Sequence, residues 1–298
     1  MTAAGTPPYI DAMTNLQIVV LAVIQGLAEM LPISSSAHVI LAERFMGLDP
    51  AAPEMTFLLV MFAVLFYFRH RWKQLLWPTA NESTGDRFGF LKMLVVATVC
   101  TGILGYALKI GIEKVLFEGL LHHEKGEVEA LFRNLPLMGA SLLAVGVFII
   151  VAGKRASPKQ NEALTMSTSV WIGLLQGLCL PFRGFSRSGA TISTALCRGV
   201  GQRLAEEFSF ALAVVLTPPV IFLELRRLLK TRAELEGGST QELLMPGILG
   251  MVCSFVAAML ALWLLSAVLE RGKWKYFGYY CIAAAGVVFV VNFFDVTA

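Results

Sequence analysis

Charge is scarce in this 298-residue sequence: 15% of its residues are Asp, Glu, Lys or Arg, against about 25% in an ordinary soluble domain. That shortfall excludes a fully solvated globular surface. It also speaks against nucleic acid as a partner, because the net charge is only +3 and the basic residues fall in short clusters between apolar runs. Cys100, Cys179, Cys197, Cys253 and Cys281 show no metal-type spacing, so they read as small packing residues and no disulfide framework is expected. Met1 to Asn15 contains no basic residue, and a cleavable signal peptide is therefore not expected. Histidine is limited to four positions, and none follows Arg187.

What fills the space is hydrocarbon. Apolar residues make up 56% of the chain and the mean hydropathy is +0.70, which places it among integral membrane proteins. Leu16 to Ile24 is apolar but too short to cross a bilayer, which needs about 20 residues, and it is interrupted at Gly26, Glu29 and Pro32. Leu16 to Gly47 therefore reads as a re-entrant hairpin, and Trp171 to about Gly201 as a second one. Six spans are expected: Met55–Phe68, Phe88–Leu108, Leu135–Val151, Glu207–Leu225, Pro246–Leu269 and Tyr276–Phe294. The first is about six residues short of a normal span.

Basic flanks at Arg69, Arg71 and Lys73, at Lys154, Arg155 and Lys159, and at Arg271, Lys273 and Lys275 set those ends in the cytoplasm. The acidic stretch between Ile110 and Asn134 then lies outside. Arg226, Arg227, Lys230 and Arg232 also fall outside, against that rule, with Glu224, Glu234 and Glu236 offsetting them. The expected fold is one all-α membrane domain over 1–298, six spans plus two hairpins in an inverted-topology repeat, its halves running over about 12–153 and 165–298.

Two stretches carry the polar chemistry. Gln25-Gly26-Leu27-Ala28-Glu29-Met30-Leu31-Pro32-Ile33-Ser34-Ser35-Ser36-Ala37-His38 supplies an acid, three serines and an imidazole. Phe182-Arg183-Gly184-Phe185-Ser186-Arg187-Ser188-Gly189-Ala190-Thr191 supplies hydroxyls and two guanidiniums. Each is preceded by an apolar run, opens on Gln-Gly-Leu (Gln25 to Leu27, Gln176 to Leu178), passes a proline (Pro32, Pro181) and ends in a serine-rich turn. A guanidinium at membrane depth is costly and is kept for an anion or an acidic partner. Arg187 can grip a phosphate bidentately, with Ser186, Ser188 and Thr191 presenting hydroxyls at a helix start that attracts negative charge. Its alternative use is a structural ion pair with Glu29 or Glu206. Arg183 either assists with a second phosphate or snorkels.

His38 is the only histidine in an apolar stretch, three residues after Ser35 and near Glu29, so a hydroxyl, an imidazole and a carboxylate could converge across one turn. Glu29 could orient the imidazole, act as a base, or hold a divalent cation, Mg2+ or Ca2+, that bridges phosphate oxygens. Glu43-Arg44 and Glu206-Glu207 read as structural pairs at helix ends.

These residues resemble the bacitracin-resistance type of undecaprenyl-diphosphate phosphatases. Gln25 to Glu29, Leu31 to His38, and Gly184 to Ser193 carry the resemblance, supported by Glu207-Phe208-Ser209-Phe210. It implies an enzyme of the bacterial inner membrane, with its site open to the periplasm, that removes the terminal phosphate of a lipid diphosphate. It further implies functional roles for Glu29, Ser35 and His38 in the first motif and for Ser186, Arg187 and Thr191 in the second. Gln25 stands where many members have a second glutamate, and Phe182-Arg183 interrupts the usual Pro-Gly.

The expected catalytic residues are Ser35, His38, Glu29 and Arg187; Ser34, Ser186, Ser188, Thr191, Gln25 and Arg183 would bind the substrate. Ser35, His38 or a water it activates could be the nucleophile. No organic cofactor is expected. Beyond the lipid diphosphate and membrane lipids, a homo-oligomer is compatible with the sequence. The rival reading is a carrier or flippase for an anionic or phosphorylated lipid, which would use the same broken helices. Lipid phosphatases of the acid-phosphatase type are set aside, since they need a histidine after their arginine and position 193 here is Ser193.

Overall fold

The computed structural model describes residues 14–48, 63–64, 66–69, 73, 84–112, 134–156, 163–216, 222 and 240–297. Most of Met55–Phe68, the end of Glu207–Leu225, the acidic stretch before Asn134 and the Arg226 to Arg232 cluster lie outside the described residues. The described chain is helical: α1 (Asn15–Met30), α2 (Ser35–Phe45), α3 (Thr84–Gly111), α4 (Leu135–Arg155), α5 (Met166–Cys179), α6 (Arg187–Cys197), α7 (202–216), α8 (Thr240–Glu270) and α9 (Lys275–Thr297). Stretches Phe88–Gly111, Leu135–Arg155, Gly247–Glu270 and Lys275–Phe294 are long and apolar enough to cross a membrane. They coincide with four of the expected spans.

α1 and α5, at 16 and 14 residues, are not. At 1.5 Å per residue they reach roughly 24 and 21 Å, short of a hydrocarbon core of about 30 Å. Each is started by a threonine whose hydroxyl accepts the backbone N–H three residues on, Thr14 from Gln17 at 3.3 Å and Thr165 from Thr168 at 3.2 Å. Each then breaks at a proline-containing turn and gives way to an eleven-residue helix, α2 or α6.

Those two short helices end identically. Around Gly47, at φ +66°, the Leu48 N–H reaches back to the Glu43 carbonyl at 2.9 Å; around Gly199, at φ +82°, the Val200 N–H reaches the Ala195 carbonyl at 3.1 Å. This is the six-to-one closure that a left-handed glycine permits. Their starts share a serine pair, Ser34 with Ser36 at 3.4 Å and Ser186 with Ser188 at 3.4 Å, but differ in the backbone, Ser186 capping its helix while Ser34 takes φ +69°.

Small residues decide which helices touch. α1 packs on α8, α5 on α3, and α4 on α9. A Cβ at Gly26 would collide with the Ser254 carbonyl of α8, and one at Gly177 would lie 2.9 Å from the Thr101 carbonyl oxygen of α3. The first arm of each hairpin thus lies against the long helix from the other half of the chain. α4 and α9 run antiparallel: Gly139 faces Phe289, Gly146 and Gly278 press on each other's carbonyls, and Gly153 meets the backbone of Lys275. Behind the second hairpin, Trp274 is 1% exposed and donates its indole N–H to the Ser193 hydroxyl at 3.0 Å.

Candidate active site

The tips of the two hairpins meet. Glu29 lies in the last turn of α1, and Arg187 opens α6; the guanidinium Nη2 approaches Glu29 Oε1 at 3.4 Å, with the side chains 20% and 9% exposed. Gln25, one turn back, donates its amide to Glu29 Oε2 at 3.3 Å. A second tie crosses the tips, since the Ser188 hydroxyl donates to the Leu31 carbonyl at 3.3 Å. Arg187 can serve both the structural ion pair and the anion grip, because Nη2 faces Glu29 while Nη1 is buried with no acceptor among the described residues.

The backbone around this pair is held by its sequence. Ser186 caps α6, accepting the Gly189 N–H at 3.2 Å. Gly184 takes φ +102°, and a Cβ there would strike the Met138 carbonyl of α4. The Phe182-Arg183 interruption therefore displaces the turn's glycine without removing it. Arg183 is half-buried in the same loop. Thr191 is 1% exposed; its hydroxyl meets the Arg187 carbonyl at 2.9 Å and the Ser209 hydroxyl of α7 at 2.6 Å, so it braces the first turn of α6.

The first loop contains the only non-glycine residue with positive φ among the described residues, Ser34 at +69°. That strained turn aims its carbonyl at His38 Nδ1, 2.8 Å away. A carbonyl only accepts, so the proton of a neutral imidazole is on Nδ1 and the lone pair on Nε2. Nε2 accepts from the Tyr280 hydroxyl at 2.7 Å, and the two rings stack 5.6 Å apart at 12°. The Cys281 thiol of the same helix reaches the Pro32 carbonyl at 3.3 Å. Ser35, half-buried, opens α2 three residues before His38, on its face of the helix.

The structure thus joins Gln25, Glu29 and Arg187 directly, with Ser188 tied to the Leu31 carbonyl and to Ser186. Ser34 joins His38. Among the described residues His38 makes no hydrogen bond to Ser35, Glu29 or Arg187; its nitrogens are held by Ser34 and Tyr280 instead. Glu206 and Glu207 have structural partners, Ser266 donating to the first at 2.6 Å and Arg203 pairing with the second at 3.2 Å. Among the described residues no group of three or more His, Cys, Asp or Glu gathers as a metal site. Sequence reasoning missed Tyr280 and Ser209. Tyr280 carried the signal of an interfacial aromatic only, and Ser209 stood in the resemblance without a role.

A family model described as "Bacitracin resistance protein BacA" matches residues 18–287, which takes in nearly all of both hairpins, three of the four long helices and the first half of α9. The chain belongs to the BacA family. Its relatives in that family match end to end. It is 49% identical over 289 residues to "Undecaprenyl-diphosphatase 2" of Acinetobacter baylyi, covering 93% of this chain and 98% of that protein. It is 30% identical over 286 residues to "Undecaprenyl-diphosphatase" of Bdellovibrio bacteriovorus, covering 94% and 96%. It is also 30% identical over 297 residues to "Undecaprenyl-diphosphatase 2" of Halalkalibacterium halodurans, covering 95% and 97%. In this BacA chain, position 25 is glutamine and the glycine after Pro181 is delayed to Gly184, yet the tips of the hairpins still close on each other.

Proposed function

We propose that this protein is an undecaprenyl-diphosphatase of the bacterial inner membrane, with its site open to the periplasm. It hydrolyses the phosphoanhydride of undecaprenyl diphosphate, consuming water and yielding undecaprenyl phosphate and inorganic phosphate. The observation that carries the reading is the joining of two distant loops through Glu29 and Arg187, with Arg187 Nη1 buried and without an acceptor among the described residues. A buried guanidinium nitrogen without a partner is a place for an anion.

Arg187 holds the terminal phosphate and offsets its developing charge, aided by the α6 N-terminus and the Ser186 and Ser188 hydroxyls. Ser34 and Arg183 would add head-group contacts, Gln25 holds Glu29 before the head group arrives, and Thr191 supports the turn that presents Arg187. The Ser35 hydroxyl attacks the terminal phosphorus, and its proton passes to His38 Nε2 after Tyr280 withdraws; His38 then hands that proton to the departing undecaprenyl phosphate and is neutral again. Water then attacks the phosphoserine, with His38 as base, and inorganic phosphate is released. Glu29 is the carboxylate that would share an Mg2+ or Ca2+ with the phosphate oxygens, which suits hard cations bound by one or two carboxylates plus substrate. Such an ion, when bound, supplies charge neutralisation.

The fold beneath this site is six spans and two re-entrant hairpins in an inverted repeat, with halves of about 12–153 and 165–298. Supporting it are the duplicated threonine caps and glycine closures, and the exchange of partners by which α1 lies on α8 while α5 lies on α3. The basic ends of α4 and of the α8–α9 turn meet at Gly153 and Lys275, which fits one cytoplasmic face.

The test is phosphate release from undecaprenyl diphosphate by purified protein in detergent, where there is no bilayer to cross. Turnover by the native chain, lost at least a hundredfold in His38→Ala and Ser35→Ala, is expected. Substrate binding without phosphate release would favour the carrier. Full activity in Ser35→Ala would pass the attack to water or His38.

A further inference from the structure

Two helix crossings in this molecule are built alike around a glycine and differ at the facing hydroxyl: that of Thr101 donates to the Ala97 and Gly173 carbonyls at 2.8 and 3.0 Å. Gly177 of α5 lies against the Thr101 carbonyl of α3, and the residue before it, Gln176, donates its amide to the Thr101 hydroxyl at 3.0 Å. Gly26 of α1 lies against the Ser254 carbonyl of α8, and the residue before it is Gln25. Both glutamines are buried, at 0% and 3% exposed. By position Gln25 matches Gln176 and Ser254 matches Thr101.

The matching bond is absent. Gln25 instead turns its amide to Glu29 at 3.3 Å, and the Ser254 hydroxyl, 0% exposed, is left with no partner among the described residues. The cause is visible four residues on. Glu29 follows Gln25 by one turn, whereas the residue one turn after Gln176 is Leu180. Where no carboxylate competes, the glutamine rests on the hydroxyl of the neighbouring helix; where one does, the glutamine is drawn off, and Ser254, which also lacks the carbonyl bonds of Thr101 among the described residues, is left unpaired. Buried hydroxyls rarely stay unpaired, so each exception calls for an explanation.

We propose that Gln25 has two resting places, Glu29 in the empty site and Ser254 in the loaded one, and that Ser254 is a positioning residue for head-group binding. A diphosphate competes for Arg187 Nη2, and a divalent counter-ion carried with it would take up the Glu29 oxygens in place of the Gln25 amide. Gln25 then moves to Ser254, as Gln176 stands on Thr101. The inference rests on the phosphatase reading for its ligand class, a lipid diphosphate.

Binding of farnesyl diphosphate to the purified full-length protein is measured by titration, beside phosphate release. Ser254→Ala is expected to weaken binding about tenfold, the worth of one hydrogen bond, with kcat within about twofold and melting temperature unchanged or raised. Ser254→Thr, which recreates Thr101, should bind like the native protein. In a Gln25→Leu background, Ser254→Ala should add nothing.

Native affinity in Ser254→Ala overturns the proposal. So do equal losses in Ser254→Thr, additive effects with Gln25→Leu, or a lowered melting temperature, which would reveal a structural partner. If the binding pattern holds but no variant releases phosphate, the phosphatase reading fails and the two-position glutamine stands. If phosphate is released and Ser254→Ala is native in both assays, the glutamine mechanism fails alone. A native protein that does not bind the probe sinks both.

Discussion

Replacing Arg187 is the sharpest probe of the site, because its two terminal nitrogens have separable tasks. Nη2 neutralises Glu29 at 3.4 Å, while Nη1 meets no acceptor among the described residues. Arg187→Lys keeps a positive charge beside Glu29 but loses the planar fork, and a fork is what matches two phosphate oxygens at once. Removing one preorganised donor from a charge-stabilising site costs about 100- to 1,000-fold in kcat, or about 2.7–4 kcal/mol. Arg187→Lys should therefore fall at least about a hundredfold in phosphate release while melting like the native protein. Arg187→Ala should fall further, about a thousandfold or more. It should also lose stability, because the Glu29 side chain is only 9% exposed and would keep just the Gln25 amide. Breaking a buried pair costs up to about 3–5 kcal/mol, and the remaining amide reduces that figure. Glu29→Gln added to Arg187→Ala should recover the stability and none of the turnover. The assay is colorimetric phosphate release in detergent, paired with a melting curve. Arg187→Lys turning over within threefold of native would refute the reasoning, since the fork would then have no task.

Tyr280→Phe keeps the ring stacked on His38 and removes the donor to Nε2; that bond must break before Nε2 takes a proton, so kcat should hold or rise by up to about fivefold. Tyr280→Ala, which removes the stack, should lower it at least about tenfold, and the reverse ranking would exclude this role. Gly184→Ala should destabilise the protein by about 2 kcal/mol or more, read as a lower melting temperature, because φ is +102° and the Met138 carbonyl occupies the Cβ position. Stripping divalent cations with a chelator should lower phosphate release and added Mg2+ restore it; an unchanged rate would remove Glu29 as a cation ligand.

The hairpins were readable in the sequence because their grammar is local. A run too short to span, a Gln-Gly-Leu, a proline and a serine cluster specify a helix, a close crossing, a break and a capped restart within about thirty residues. Electrostatics narrowed Arg187 to an anion or to a pair with Glu29 or Glu206, since a charge at depth needs an opposite one, and the fold brings it to Glu29. Tyr280 was not readable, because it sits 242 residues from His38 and looks like any aromatic near a membrane surface. The tautomer of His38 was hidden for another reason: it depends on Ser34 adopting a left-handed backbone, which nothing in a serine announces. Thr191 looked like a phosphate ligand by its spacing, whereas its hydroxyl is used to tie α6 to Ser209, a partner only packing could supply.

The seam between α4 and α9 has a consequence for how the molecule works. Where Gly146 and Gly278 touch, two bare main chains meet with no side chain between them. A machine that exposes its cargo first to one compartment and then to the other must prise its halves apart, and a join of that kind offers nothing to plug the crack. Helices welded at such a point suit a stationary reactor, one to which greasy reactants diffuse sideways and from which they drift away, while the frame stays shut.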